Sequence, residues 1–93
     1  MSTLPDYDVI IWIDYNIFGE KLEREILSSV DIEPYDRNEY AGVLDMHWGF
    51  KTWDHAVSFS YKLKKFAENP NVILLKASNT KYSDISIVYK DER

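Results

Sequence analysis

Asp45 and His47 stand two residues apart in the stretch GVLDMHWGF. A two-residue step along a strand puts both side chains on the same face. An imidazole beside carboxylates can act as a general base whose charged form is stabilised. The same oxygens and nitrogens also suit a hard or borderline metal ion. Trp12 and Asp14, in the stretch YDVIIWIDY, carry the same outward parity, so Trp12, Asp14, Asp45 and His47 are expected to gather on one sheet face. His47, Asp45 and Asp14 are therefore the candidate catalytic or ligating residues. No nucleophile motif and no metal-ligand spacing accompanies them. An exposed Asp–X–His pair is more often a surface ion pair worth under about 1 kcal/mol. The reading accordingly assigns no catalytic residue, no metal and no cofactor. The other histidine, His55, falls on the polar side of a helix and is read as solvated. The three glycines stand apart from one another, so no phosphate-binding loop is formed.

Positioning such a face needs strands of known parity. Tyr40–Trp48 alternates, with Tyr40, Leu44, Met46 and Trp48 on one side and Ala41, Val43, Asp45 and His47 on the other. Period two means a half-buried strand, which Gly49 ends. Thr52 follows in helix N-cap position, with Asp54 in the first turn where a carboxylate suits the positive helix end. Ala56, Phe59, Ser60, Leu63, Phe66 and Ala67 then recur at helical steps. Asn69-Pro70 stops this helix of about sixteen residues, roughly 24 Å long.

Tyr7–Tyr15 reads as a strand with Val9, Ile11 and Ile13 on the core face. Apolar residues on its other face too, at Ile10 and Trp12, mark it as central. Phe18, Leu22, Ile26 and Val30 predict a helix over about Ile17–Val30, capped by Asn16, with Glu20 and Arg24 as an i,i+4 pair. Pro34 confines Ile32–Tyr35 to a short edge strand. Asp36-Arg37-Asn38 is turn chemistry leading into the strand at Tyr40. Val72–Ala77 is a strand of ambiguous register. Asn79–Ser83 is a polar connection, and Ile85–Tyr89 is a last strand added by hairpin.

The order strand, helix, short strand, strand, helix, strand predicts an α+β, ferredoxin-like split βαβ sandwich. Its mainly antiparallel sheet would carry both helices on one face, with an extra C-terminal strand. Without the short strand the order would favour a parallel pair. Ninety-three residues fit a single domain, with residues 1–5 and 91–93 as flexible ends.

The open face is the distinctive expectation. Ile10, Trp12, Ala41, Val43, Val72, Leu74 and Val88 fall there by parity, with Val72 and Leu74 subject to the register ambiguity. An apolar patch of that kind suggests a covering partner. Trp12, Ile10 and Val43 are the candidate partner-binding residues.

Sixteen acidic against eleven basic residues give a net charge of −5. Such a balance repels nucleic acid and favours a more basic protein. An RNA-binding sheet also needs a basic–Gly–aromatic motif on its third strand, where this chain offers Asp45 and His47. No apolar run approaches a membrane span and no signal-peptide pattern is present. The absence of cysteine is compatible with a reducing cytoplasm. The expectation is a cytoplasmic, non-enzymatic protein-binding or regulatory module. It would act by homodimerisation or by capture of a protein partner, as an inhibitor or neutralising factor, with no nucleic acid and no membrane involved. The alternative is a small dimeric enzyme or metal-binding protein using His47 with Asp45 or Asp14.

Overall fold

Alternating valine and isoleucine build the centre of the sheet. The computed structural model describes residues 5–82 and 85–92. Tyr7–Asp14 forms β1, Asp36–Tyr40 β2, Val43–Phe50 β3, Val72–Asn79 β4 and Ser86–Asp91 β5. Gly19–Ser28 forms α1, and Trp53–Leu63 forms α2, which tightens into a 3-10 turn over Lys64–Glu68. The strand order is β2-β3-β1-β4-β5, every neighbouring pair is antiparallel, and the sheet is open. The fold is thus α+β, two helices against a five-stranded antiparallel sheet.

Val9, Ile11 and Ile13 of β1, Leu44, Met46 and Trp48 of β3, and Val72, Leu75 and Ala77 of β4 form one core. Leu22 and Ile26 of α1 join it, as do Ala56, Phe59 and Leu63 of α2. Both helices therefore cover the same face. Phe59 packs on Trp48 and Phe50, with ring centres 5.2 and 5.0 Å away. Thr52 caps α2 as expected, its hydroxyl accepting from the His55 N–H at 3.3 Å, and His55 is exposed.

Several expectations need correction. The edge strand is not Ile32–Tyr35 but Asp36–Tyr40, the segment that includes the expected turn residues. The Trp48 indole donates to the Ile32 carbonyl at 2.9 Å, which holds the preceding segment as a loop. The turn lies at Ala41-Gly42, both with positive φ (54° and 76°), the geometry a two-residue hairpin demands. Tyr40 consequently ends β2, 70% exposed, instead of entering the core. Ala41 sits in the turn and leaves the open face. β3 runs through Gly49 to Phe50.

The first helix starts later and ends sooner than its periodicity suggests. Phe18, not Asn16, is its N-cap, in left-handed backbone and without a side-chain cap bond. Phe18 is also 73% exposed, outside the apolar stripe. The expected Glu20–Arg24 pair does not form among the described residues. Instead the Arg37 Nε donates to Glu23 Oε2 at 2.7 Å, tying β2 to α1.

A bulge between Trp12 and Ile13 on the β1–β4 edge explains the ambiguous register of VILLKA. Val72 opposes Ile13 and Leu75 opposes Ile11, so both enter the helix-side core although they are three residues apart. Val72 therefore leaves the expected open-face patch. Residues 1–4 and 93 of the expected flexible ends, and Ser83 of the expected polar connection, lie outside the described residues.

Candidate functional site

The face opposite the helices is set by register. Asp8, Ile10, Trp12 and Asp14 of β1 stand opposite Gly49, His47, Asp45 and Val43 of β3. On β4, Ser78, Lys76 and Leu74 oppose Asp8, Ile10 and Trp12. Sequence parity placed Trp12, Asp45 and His47 together, and the pairing does bring Trp12 directly across from Asp45. Ile10, Trp12 and Val43 are each half-buried. Leu74, across from Trp12, is fully buried and stands outside the helix-side core. Val88, opposite Lys76, is exposed.

His47 is held between two carboxylates. Its Nδ1 lies 3.2 Å from Asp8 Oδ2 in a hydrogen bond. Its Nε2 lies 2.8 Å from Asp45 Oδ1, an ion-pair contact too poorly aligned to count as a hydrogen bond. The hydrogen bond to Asp8 raises the His47 pKa above its usual value; burial opposes this and the Asp45 charge adds to it. A carboxylate at each ring nitrogen favours the doubly protonated cation. A general base needs a free lone pair, so this arrangement suits charge positioning better than proton abstraction.

Asp8 is the member that the sequence did not disclose. It is only 6% exposed. The Tyr35 hydroxyl donates to both its oxygens, at 3.0 and 2.8 Å. Burial, and then the hydrogen bond to Asp8, push the Tyr35 hydroxyl pKa well above its ordinary value. Gly49 makes the enclosure possible. A Cβ there would meet Pro5 Cγ at 2.5 Å and the Tyr35 ring at 3.2 Å. Without a side chain opposite Asp8, Pro5 and Tyr35 close in over that end of the face. The available signal was parity, since Asp8 lies two residues before Ile10. Its burial depends on register against Gly49 and on a loop residue, Tyr35, neither of which parity discloses.

Asp14 does not join the cluster. Its carboxylate accepts from the Asn16 backbone N–H at 3.0 Å and shapes the exit from β1. Among the described residues, no group of three or more His, Asp or Glu side chains converges as a metal site would require. A surface groove bordered by Tyr35, Ile32 and Phe50 runs beside the cluster, and neither His47 nor Asp45 lines it. Among the described residues, no helix is long and apolar enough to cross a membrane. No protein-family model matches the sequence, and no curated protein or solved structure matches it either.

Proposed function

We propose that this chain is a small acidic, non-enzymatic binding or regulatory module that captures a protein through the open face of its sheet. The observation that carries the reading is the face itself. Trp12, Ile10 and Val43 remain partly accessible there beside a fixed Asp8–His47–Asp45 charge cluster. A partly accessible Trp with apolar neighbours is a typical anchor at an interface, and an ordered charged rim selects the partner. The net charge of −5 favours a more basic protein over nucleic acid. A cytoplasmic setting belongs to the same proposal.

The architecture proposed for this module is the ferredoxin-like split βαβ plan with β5 appended. It is supported by the order β2-β3-β1-β4 and by the single helical layer. The test is Trp12→Glu, which puts a charge at the centre of the face without touching the helix-side core. It is expected to leave a cooperative melt, at a lower temperature because the new carboxylate faces Asp45 and uncovers Leu74, and to abolish partner retention. Undiminished retention by the variant would remove the proposal.

A further inference from the structure

Among the described residues the outer edge of β2 pairs with no strand, and it is complementary to itself. β2 is an outer strand of five exposed residues, Asp36-Arg37-Asn38-Glu39-Tyr40, paired regularly with β3 from Asp36↔His47 to Tyr40↔Val43. The pair flanking a two-residue turn is the hydrogen-bonded one, and such pairs alternate along an antiparallel ladder. Tyr40, Asn38 and Asp36 thus direct their main-chain groups at β3. Arg37 and Glu39 direct theirs outward, at the open edge.

A second copy related by a two-fold axis at Asn38 would meet this edge in antiparallel register. Arg37 then stands opposite Glu39 of the other copy, twice. These are the two residues whose main-chain groups point outward, so each pairing also closes two backbone hydrogen bonds. Registers centred on Arg37 or on Glu39 would instead oppose like charges, which is destabilising. Within one copy Arg37 Nη2 already lies 3.5 Å from Glu39 Oε2, yet both side chains stay accessible, 42% and 46% exposed, so the seam would join the two intrachain pairs into one four-charge network. Glu23 fixes the guanidinium in place through its Nε and Nη2.

Tyr40 adds a second argument. Its side chain shares the open face with Val43, and it is 70% exposed. In this register it lies across from Asp36 of the other copy, and the seam covers part of its ring. The opposite sheet edge is less suited to extension, because β5 is bulged where Leu75 and Lys76 pair with it.

We propose that two copies associate through β2 to form a continuous ten-stranded sheet, with both open faces on one side. This uses a different surface from the open-face reading and does not depend on it. Four main-chain hydrogen bonds and two charge pairs make a small contact, so the dimer is weak and concentration-dependent.

Sedimentation velocity of the full chain, from micromolar to about millimolar concentration at low salt, tests this; long-range charge pairing is best seen where the screening length is long. The wild type should shift from monomer toward dimer. Glu39→Arg and Arg37→Glu should each remain monomeric alone. Mixed, they should form a heterodimer, because each Arg then faces a Glu again. Glu39→Pro removes an outward N–H without breaking the β2–β3 ladder and should also stay monomeric, which keeps the test decisive if Arg37→Glu fails to fold. Trp12→Glu should dimerise like the wild type. A wild type that stays monomeric throughout would overturn the proposal. So would a dimer that survives both Glu39→Arg and Glu39→Pro, or one lost only in Trp12→Glu, which would assign self-association to the open face.

Discussion

His47 gives the residue scale its clearest physical consequence. The ring lies between Asp8 and Asp45, and its pKa in the folded protein is raised. In the unfolded chain a histidine titrates near about 6.5. A folded-state pKa above that value means the native state binds the proton more tightly. The stabilisation is complete below about pH 6.5 and is lost as pH rises through the folded pKa. Urea melts should therefore show a less stable protein at pH 8.5 than at about pH 6. His47→Ala should flatten that dependence, and it should also cost about 1–2 kcal/mol by depriving the buried Asp8 carboxylate of a partner. Sequence alone would leave His47 dispensable for folding, as an exposed pair on a strand face. The register that buries Asp8 beside His47 argues instead for a cost when the imidazole is removed. Parity was enough to put His47, Asp45 and Trp12 on one face. It could not show that Asp8 lies opposite Gly49, nor that Tyr35 folds over it from a loop. Asp14 was assigned to the same set by parity and instead fixes a turn, because its carboxylate has a backbone N–H within reach.

Elements were legible where one face is buried and illegible where none is. β1 and α2 announce themselves through Val9, Ile11 and Ile13 and through Ala56, Phe59 and Leu63. β2 has exposed residues on both faces, so no alternation marks it. The hairpin was hidden for a different reason. Tyr40, Gly42 and Leu44 alternate as one strand would, although the chain reverses between them; the two-residue turn inverts the parity, so Tyr40 stands across from Val43 on the open face while Leu44 enters the core. That turn holds a testable strain. Ala41 sits at φ 54°, where a non-glycine residue carries a steric penalty. Ala41→Gly should raise stability by about 0.5–1 kcal/mol in thermal or urea melts. On the helical layer, Phe59 lies against Trp48 and Phe50, and Leu63 is fully buried. Phe59→Ala or Leu63→Ala should each cost about 2–5 kcal/mol, the range for large core truncations. A loss below about half a kcal/mol would mean that α2 does not depend on this packing.

At the scale of the molecule, one sheet face is sealed by two helices and the other is left to residues that serve different ends. Near Pro5 and Tyr35 that face is polar and enclosed; around Trp12 it is apolar and only half covered. The apolar part is smaller than parity suggested, because the β4 bulge turns Val72 inward and the hairpin removes Ala41. Trp12, Ile10 and Val43 remain, beside a buried Leu74. Trp12 is already more than half covered, so sealing it adds only part of the full transfer energy, on the order of 1 kcal/mol, a contribution to an anchor and not a complex by itself. The direct measurement compares wild type and Trp12→Glu, immobilised at equal density and exposed to an extract of the native host. The account predicts that both proteins are folded at the assay temperature by cooperative melts, that the wild type retains a partner, and that the variant loses at least about tenfold of it, a difference of about 1.4 kcal/mol. Equal retention by both proteins, or no retained partner on the wild type, would contradict it.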